Sequence, residues 1–262
     1  MQTIDPPTIP SIQHLRFANV CAVIPALDEE DSIRVVIEGL LRHGVGWVIV
    51  GDNGSTDRTA AIARAAGASV VAAPRRGYGS ACLAALSAVP SGARAVVFCD
   101  ADGADDLARL PDLVAPVVAG THDLVIGSRV LGGADRGALS LPQRVGNLAA
   151  AAMMRVLYGV RVTDLGPFRC VDAGALTRME MADPAFGWTA EMQVKAYRMR
   201  LRVAEVAVRA LVRRGGDSKI SGRFWPIFRA GWGIISTILR HRATPLPRVV
   251  SGTPPSDLAT HL

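Results

Sequence analysis

Val96-Val97-Phe98-Cys99-Asp100-Ala101-Asp102-Gly103-Ala104-Asp105-Asp106 is the stretch from which the rest of this chain is read. Four apolar residues run directly into two carboxylates one residue apart. A short apolar run with β-branched residues predicts a buried strand. Side chains alternate across a strand, so Asp100 and Asp102 fall on one side of the chain where it leaves the sheet. Such a pair suits a hard divalent cation, Mg2+ or Mn2+. That ion takes one or two protein carboxylates and completes its shell with phosphate oxygens and water. The other reading is an acidic loop that caps the next helix, a role expected of Asp105 and Asp106.

At 262 residues the chain is long enough to bury a full core, and one large α/β domain is expected. Apolar residues make up 50% but aromatic residues only 5%, so that core is built from Ala, Val and Leu. The net charge of +6 is unevenly spread. Residues 191–248 carry 13 of the 29 basic side chains and 3 of the 23 acidic ones. A local surplus of this kind points to an anionic substrate or surface. Nucleic acid is disfavoured, because no basic-aromatic repeat, zinc-knuckle spacing or recognition-helix signature accompanies it. Cys21, Cys82, Cys99 and Cys170 lie far apart without metal spacing, as expected of buried thiols in a reducing compartment. No charged leader with an apolar core opens the chain, and no apolar run approaches the roughly 20 residues of a membrane span. The expectation is a cytoplasmic protein with at most peripheral contact at the inner membrane face.

Working outward from the quoted stretch, strands and helices alternate. Val20–Pro25 and Trp47–Val50 predict strands, Ser69–Ala72 a short one, and Asp123–Gly127 another ending in Ser128-Arg129. Helical spacing of Ile33, Val36, Ile37 and Leu40 follows Asp28-Glu29-Glu30-Asp31, and Leu107 to Val118 reads as a broken helix. This alternation predicts a parallel, doubly wound sheet, whose ligands bind at the carboxyl ends of the strands. Three such ends carry distinctive chemistry: Pro25 to Glu29, Asp52 to Asp57, and Asp100 to Asp102. Residues 132–141 form a long Gly/Ala/Ser loop, and Pro142 to Tyr158 a helix with Arg144 and Asn147 near its start. Val206–Val208 predicts a strand ahead of a basic segment from Arg213 to Gly222.

The motifs now stand in order: Val23-Ile24-Pro25-Ala26-Leu27-Asp28-Glu29-Glu30, Gly51-Asp52-Asn53-Gly54-Ser55-Thr56-Asp57, Asp100-Ala101-Asp102-Gly103, Gly127-Ser128-Arg129, Thr163-Asp164 to Arg169, and Gly216-Asp217-Ser218-Lys219. In this order they resemble the family-two glycosyltransferases, most nearly the dolichyl-phosphate mannosyl- and glucosyltransferases and their soluble bacterial relatives. The resemblance covers roughly residues 18–222. It implies a GT-A fold, a Rossmann-like and mostly parallel sheet flanked by helices, with a C-terminal acceptor-side extension. The corresponding division is an arm at 1–17, a nucleotide-sugar half at 18–130 and an acceptor half at 131–222. An amphipathic helix at 223–243 and a disordered tail at 244–262 follow.

The resemblance also implies roles. Pro25, Ala26, Leu27 and Glu29 line a nucleoside pocket, with Glu29 accepting from ribose hydroxyls and Asp52 from the ring N–H of the base. Structural alternatives are a first-turn helix acid for Glu29 and a turn former for Asp52. Arg76, Gly77 and Gly79 let the backbone approach the nucleotide. Asp100, Ala101 and Asp102 meet the diphosphate, the two acids through the metal, which acts as Lewis acid and template. Arg129 reaches the same phosphates or the acceptor. A hydroxyl acceptor needs a general base, for which Glu191 is the first candidate and Asp164 the second. Both have structural readings, Asp164 as a helix cap and Glu191 as the partner of a basic residue. A phosphate acceptor is already ionised and needs cations instead, which Arg213, Arg214 and Lys219 supply. In the lipid-phosphate branch the matching basic segment closes over the substrate phosphates. The glycines of this segment permit an ordering lid.

Two departures stand out. Asn53 replaces a frequent second Asp, which leaves uracil and guanine both open. Gly166-Pro167-Phe168-Arg169 replaces the commoner Ser-Gly-Phe-Arg. The expected activity is metal-dependent, inverting transfer of a hexose from a nucleotide diphosphate sugar to a polyprenyl phosphate or a small polar acceptor. UDP-glucose is the first choice of donor and GDP-mannose the second. Retention of configuration is an alternative, as is a non-catalytic sugar-nucleotide-binding or membrane-surface module. A nucleotidyltransferase is disfavoured, since Pro25-Ala26-Leu27-Asp28-Glu29 is acidic and glycine-free where a triphosphate cradle belongs. For membrane docking only residues 224–239 offer an amphipathic candidate, and a core helix or a homodimer helix is the preferred reading of them.

Overall fold

The apolar run ahead of Asp100 is a strand, β4 (Ala95–Phe98), and all four of its residues are buried. The structure, a computed structural model, describes residues 16–213 and 233–241. The arm up to residue 15, Arg214, Lys219, the rest of the basic segment, residues 224–232 and the tail from 242 lie outside the described residues.

Before β4 come β1 (Phe17–Ala26), α1 (Ile33–Arg42), β2 (Val45–Asp52), α2 (Thr59–Ala65), β3 (Ser69–Ala72) and α3 (Tyr78–Leu86). After it, a single 3-10 turn (Leu107–Arg109) leads into α4 (Leu110–Val118), which carries Pro116 inside it. Then follow β5 (Leu124–Ser128), the single turn α5 (Arg129–Gly132), α6 (Leu141–Tyr158), β6 (Arg169–Asp172), α7 (Ala173–Met179), α8 (Trp188–Arg198) and β7 (Val203–Ala207). A last helix, α9, occupies 233–241. Among the described residues, no helix is long and apolar enough to cross a membrane.

The seven strands form one sheet in the order β3-β2-β1-β4-β6-β5-β7. All neighbours run parallel except β6, which is antiparallel to both β4 and β5. Strand β6, from the second half of the chain, therefore lies between two strands of the first half. The sequence reading foresaw a mostly parallel sheet but not this insertion, by which β6 and β7 join the strands of the first half in one sheet. Because β2, β1 and β4 are parallel neighbours, their carboxyl ends share one edge, in register at Ala26 with Asp52 and Val23 with Phe98. The carboxyl ends of β5 and β7 join them there.

Side-chain alternation puts a core on each face of the sheet. Val97 joins Ala22, Ile24 and the apolar stripe of α1 (Ile33, Val36, Ile37, Leu40) on one face, together with Leu113 and Val117 of α4. Val96 and Phe98 join Cys21, Val23, Cys82, Met179, Trp188 and Met192 on the other. A third cluster links α6 (Ala150, Met154), α8 (Ala190, Val194) and Ile238 of α9. The described part of the proposed amphipathic segment is thus packed as a core helix. All four cysteines are buried free thiols, as expected.

Phe98 meets Trp188 with ring centroids 5.9 Å apart, directly beneath the point where Asp100 leaves the sheet. Replacing Phe98 by Ala should cost about 3–5 kcal/mol, read as a lowered urea midpoint at unchanged slope.

Candidate active site at the carboxyl edge of the sheet

The loop after β4 folds back on itself. Gly103 takes a positive φ of 73°, and the backbone N–H of Ala104 donates to Asp102 Oδ1 at 2.9 Å. The N–H of Asp100 donates to Asp105 Oδ2 at 2.8 Å. Three carboxylates are thereby gathered at one strand end. Asp105 was expected to cap the next helix with Asp106; it faces back into the loop instead, and Asp106 makes no side-chain cap bond. Burial, then Asp105 and Asp102, push the Asp100 carboxyl well above its ordinary range, although the Tyr78 hydroxyl donates to it at 3.1 Å. Burial and the neighbouring Asp102 raise Asp105 to about 7, despite the N–H of Asp100 donating to it.

This donor set fits a hard cation: oxygen ligands, mutual repulsion, and a buried position that a positive charge relieves. Among the described residues, no group of three or more His, Cys, Asp or Glu side chains converges as a protein-only metal cage. An ion at Asp100 and Asp102 would therefore complete its shell with water or with oxygens of a bound phosphate.

The neighbouring strand ends close the cleft. Pro25 and Ala26 are buried, and Leu27 is half-buried. The turn after β1 is laced to the turn after β2. The N–H of Asp28 donates to Ser55 Oγ, that of Thr56 to Asp28 Oδ1, and that of Glu29 to Thr59 Oγ1 at 2.7 Å. Asp52, at the end of β2, accepts from the N–H of Ser55 at 3.2 Å. Acids 28–31 precede α1 and leave its first turn without one; the carboxylates of Asp28 and Glu30 instead accept from Thr56 and Arg58 of the second turn.

One guanidinium ties the cleft together. Arg213 meets Glu29 Oε1 at 2.6 Å and Asp102 Oδ2 at 3.3 Å. The two acids sit on turns after different strands and are held within one side chain's span. The segment that delivers Arg213 runs antiparallel past the acidic loop, with Asp105 bridged to Ala210 and the N–H of Leu211 donating to Ala104 O.

The glycines after β3 act differently from expectation. A Cβ on Gly79 would sit 1.9 Å from Asp183 O, and one on Gly77, whose φ is +151°, would sit 2.2 Å from Pro184 O. The space expected for a nucleotide is filled by the 183–185 backbone, whose carbonyls accept from the N–H groups of Gly79 and Ser80. The N–H of Gly77 donates to Asn53 Oδ1, and the exposed Arg76 donates to Gly54 O.

On the other side of the cleft lies Arg129. Its backbone N–H, Nε and Nη2 all donate to Asp164, each at 2.8 Å. Asp164 is 1% exposed. Its loop is fastened by Glu205 to the N–H and hydroxyl of Thr163, by Asn147 to Thr163 O and the N–H of Leu165, and by Gln193 to Asp164 O. Glu191 is equally buried; it accepts from the N–H groups of Ala182 and Asp183 and from Lys195 Nζ at 2.7 Å. In this structure the oxygens of both candidate bases are held by these donors out of solvent, which is the structural role the sequence reading set beside the catalytic one. Arg169 is fully buried against the carbonyls of Gly166 and Thr189, and burial pulls it down to about 10. Beside Arg129 opens a cavity of about 640 Å³, lined by Arg144, Gln143, Asn147, Val130, Leu148 and Val162 among others.

Tyr78 and Asp105 were missed by sequence reasoning. Asp105 carried a signal, as a third acid three residues beyond Asp102, but Tyr78 carried none. Arg214 and Lys219 lie outside the described residues.

A mostly parallel sheet with acids clustered at the ends of β1, β2 and β4 is the architecture of GT-A glycosyltransferases, and similar solved structures are of that class. The chain belongs to glycosyl transferase family 2, whose model matches residues 21–184. It is therefore a hexosyltransferase. An uncharacterized glycosyltransferase of Mycobacterium tuberculosis is 38% identical over 208 residues, covering 78% of this chain and 90% of that protein. The undecaprenyl-phosphate mannosyltransferase of Micrococcus luteus is 30% identical over 216 residues, covering 78% and 88%. Among solved structures, glucosyl-3-phosphoglycerate synthase from M. tuberculosis in complex with Mn2+, UDP-glucose and phosphoglyceric acid aligns with a TM-score of 0.68 at 27% identity. It covers 87% of this chain and 80% of that one.

Two stability predictions follow from the geometry. Asp105 is raised from 3.8 to about 7, so folding takes up a proton and stability from this group falls as pH rises through that interval. Asp105→Asn should raise the melting temperature at pH about 8, with the gain shrinking as pH falls from about 7 toward 4. Asp164→Ala leaves the Arg129 guanidinium without its partner and should cost about 3 kcal/mol in chemical denaturation.

Proposed function

We propose that the protein transfers a hexose from a nucleotide diphosphate sugar to a phosphate-bearing acceptor, with inversion at the sugar carbon. UDP-glucose is the first donor and GDP-mannose the second, and a divalent Mg2+ or Mn2+ is required. The single observation that carries this reading is Arg213 spanning Glu29 and Asp102, which makes one cleft of the nucleoside-side turn and the acidic loop. The mycobacterial synthase, with Mn2+ and UDP-glucose bound, supports the donor and metal.

In this reading Pro25, Ala26 and Leu27 wall the nucleoside, Glu29 accepts from the ribose and Asp52 from the base. Asp100 and Asp102 would hold the cation, which would supply the positive charge that the leaving diphosphate needs. Arg213, paired with Asp102 and Glu29, is the cation of the chain placed to meet the diphosphate of the donor. Asp105 and Tyr78 fix the orientation of the acidic loop.

The acceptor assignment follows from what the cavity offers. Among the described residues its lining holds Arg129 and Arg144 but a single acid, Asp164, and that acid is paired with Arg129. A hydroxyl acceptor needs a base within reach, whereas an ionised phosphate needs cations. The apolar part of the lining favours a polyprenyl phosphate over a small polar phosphate such as the phosphoglyceric acid of the solved relative. The relative named undecaprenyl-phosphate mannosyltransferase supports the same choice. Four buried free thiols support action in a reducing, cytoplasmic compartment.

The test is a panel of sugar nucleotides against polyprenyl phosphate, polyprenol and phosphoglycerate, with Mn2+ and with chelator. Transfer to the lipid phosphate from one UDP- or GDP-hexose, abolished by chelator, is the expected result. Asp102→Asn should weaken metal-dependent donor binding on the order of 100-fold while leaving the melting temperature near that of the parent. Equal transfer to the uncharged polyprenol would overturn the acceptor reading, and binding of no donor would overturn the whole.

A further inference from the structure

Helix α6 has two apolar faces, and among the described residues only one is packed. Ala150 and Met154 pack into the cluster with α8 and α9. Leu141, Val145, Leu148, Ala152 and Val156 recur at helical spacing and fall about 180° away around the helix axis. They are exposed, Leu141, Leu148 and Val156 by 73%, 72% and 81%. This stripe runs about 22 Å along the surface. A helix fixed by a capping box at Ser140 and a left-handed Gly159 is well-formed without it, so helix formation does not explain the stripe.

The charge around the stripe has one sign. Arg144 and Arg155 lie along one edge of it, and Arg136 and Arg161 stand near its ends, all four exposed. No Asp or Glu occurs from 136 to 163. Two-fold pairing of α6 with a second copy would set Arg144 of one chain against Arg155 of the other with no carboxylate to offset them. An anionic bilayer instead receives the apolar stripe among its acyl chains and the arginines at its headgroups.

We propose that the outward face of α6, rather than residues 224–239, is a docking surface for an anionic lipid membrane. The cavity beside Arg129 shares Arg144 and Leu148 with this face and so opens at the bilayer surface. The proposal stands on the exposure and charge of α6 and is independent of the donor and acceptor assignments, because its readout is lipid binding without any substrate.

The experiment is flotation of the full chain with vesicles of phosphatidylcholine alone or with about 30% phosphatidylglycerol. Binding to the anionic vesicles should be at least about tenfold tighter, and Val145→Glu/Val156→Glu should lose at least about tenfold of it. Both positions are exposed and lie outside the cavity, and a thermal melt checks the fold. As a second measurement, Ala152→Cys carrying an environment-sensitive fluorophore should shift to the blue on anionic vesicles. Absence of binding, binding untouched by the double substitution, or no spectral shift overturns the proposal. A dimer that the double substitution converts to monomer, with no vesicle binding, overturns it in favour of self-association.

Discussion

Three carboxylates confined to one loop repel one another, and the fold is arranged around that repulsion. The loop has no freedom to disperse Asp100, Asp102 and Asp105, because two of them accept backbone N–H groups of the loop itself. Relief comes from arginines at neighbouring strand ends, Arg129 after β5 and Arg213 after β7. The insertion of antiparallel β6 between β4 and β5 sets the buried Arg169 beside Phe98, the last residue of β4. The parallel pairing of β5 with β7 sends the chain after β7 along the acidic loop, so that Arg213 reaches across it. Carboxyls pushed above their ordinary range by burial and by one another are matched to a ligand that arrives with a cation.

The acceptor side obeys a different constraint. A half-buried arginine with three donors is held by a carboxylate that does not move, and the loop of Asp164 is fastened from β7, α6 and α8. The same holds for Glu191, which secures the 182–183 backbone while the adjoining 184–185 carbonyls brace the start of α3. Tyr78, at that start, then reaches Asp100. Asp164 and Glu191 thus anchor neighbouring loops, and the cavity beside Arg129 is cationic and partly apolar.

Much of this was legible in the sequence where one physical rule governs a short stretch. Burial on both faces made β1, β2 and β4 continuous apolar runs. The 3.6-residue period exposed α1, and the acids stood at the strand ends where ligands bind. What was not legible depends on contacts between distant residues. Arg169-Cys170-Val171-Asp172 has no alternation to reveal an antiparallel strand in a parallel sheet. Gly77 and Gly79 look like room for a ligand, and only the fold shows the 183–185 backbone in that room. Asp105 as a helix cap and Asp105 as a member of the acidic cluster look alike from local sequence. The outward stripe of α6 was merged with its inward one, since both read simply as apolar residues in a helix.

The account rests on a cation joining Asp100 and Asp102 to a pyrophosphate in the cleft bounded by 25–29 and 52. Anomalous diffraction at the manganese edge, from crystals of the full chain holding Mn2+ with UDP or GDP, tests this most directly. The account predicts a manganese peak in ligand contact with the Asp102 carboxylate and the diphosphate, and the base between Pro25 and Asp52. A nucleotide bound elsewhere, or one seated in the cleft with no metal between it and those carboxylates, would contradict it.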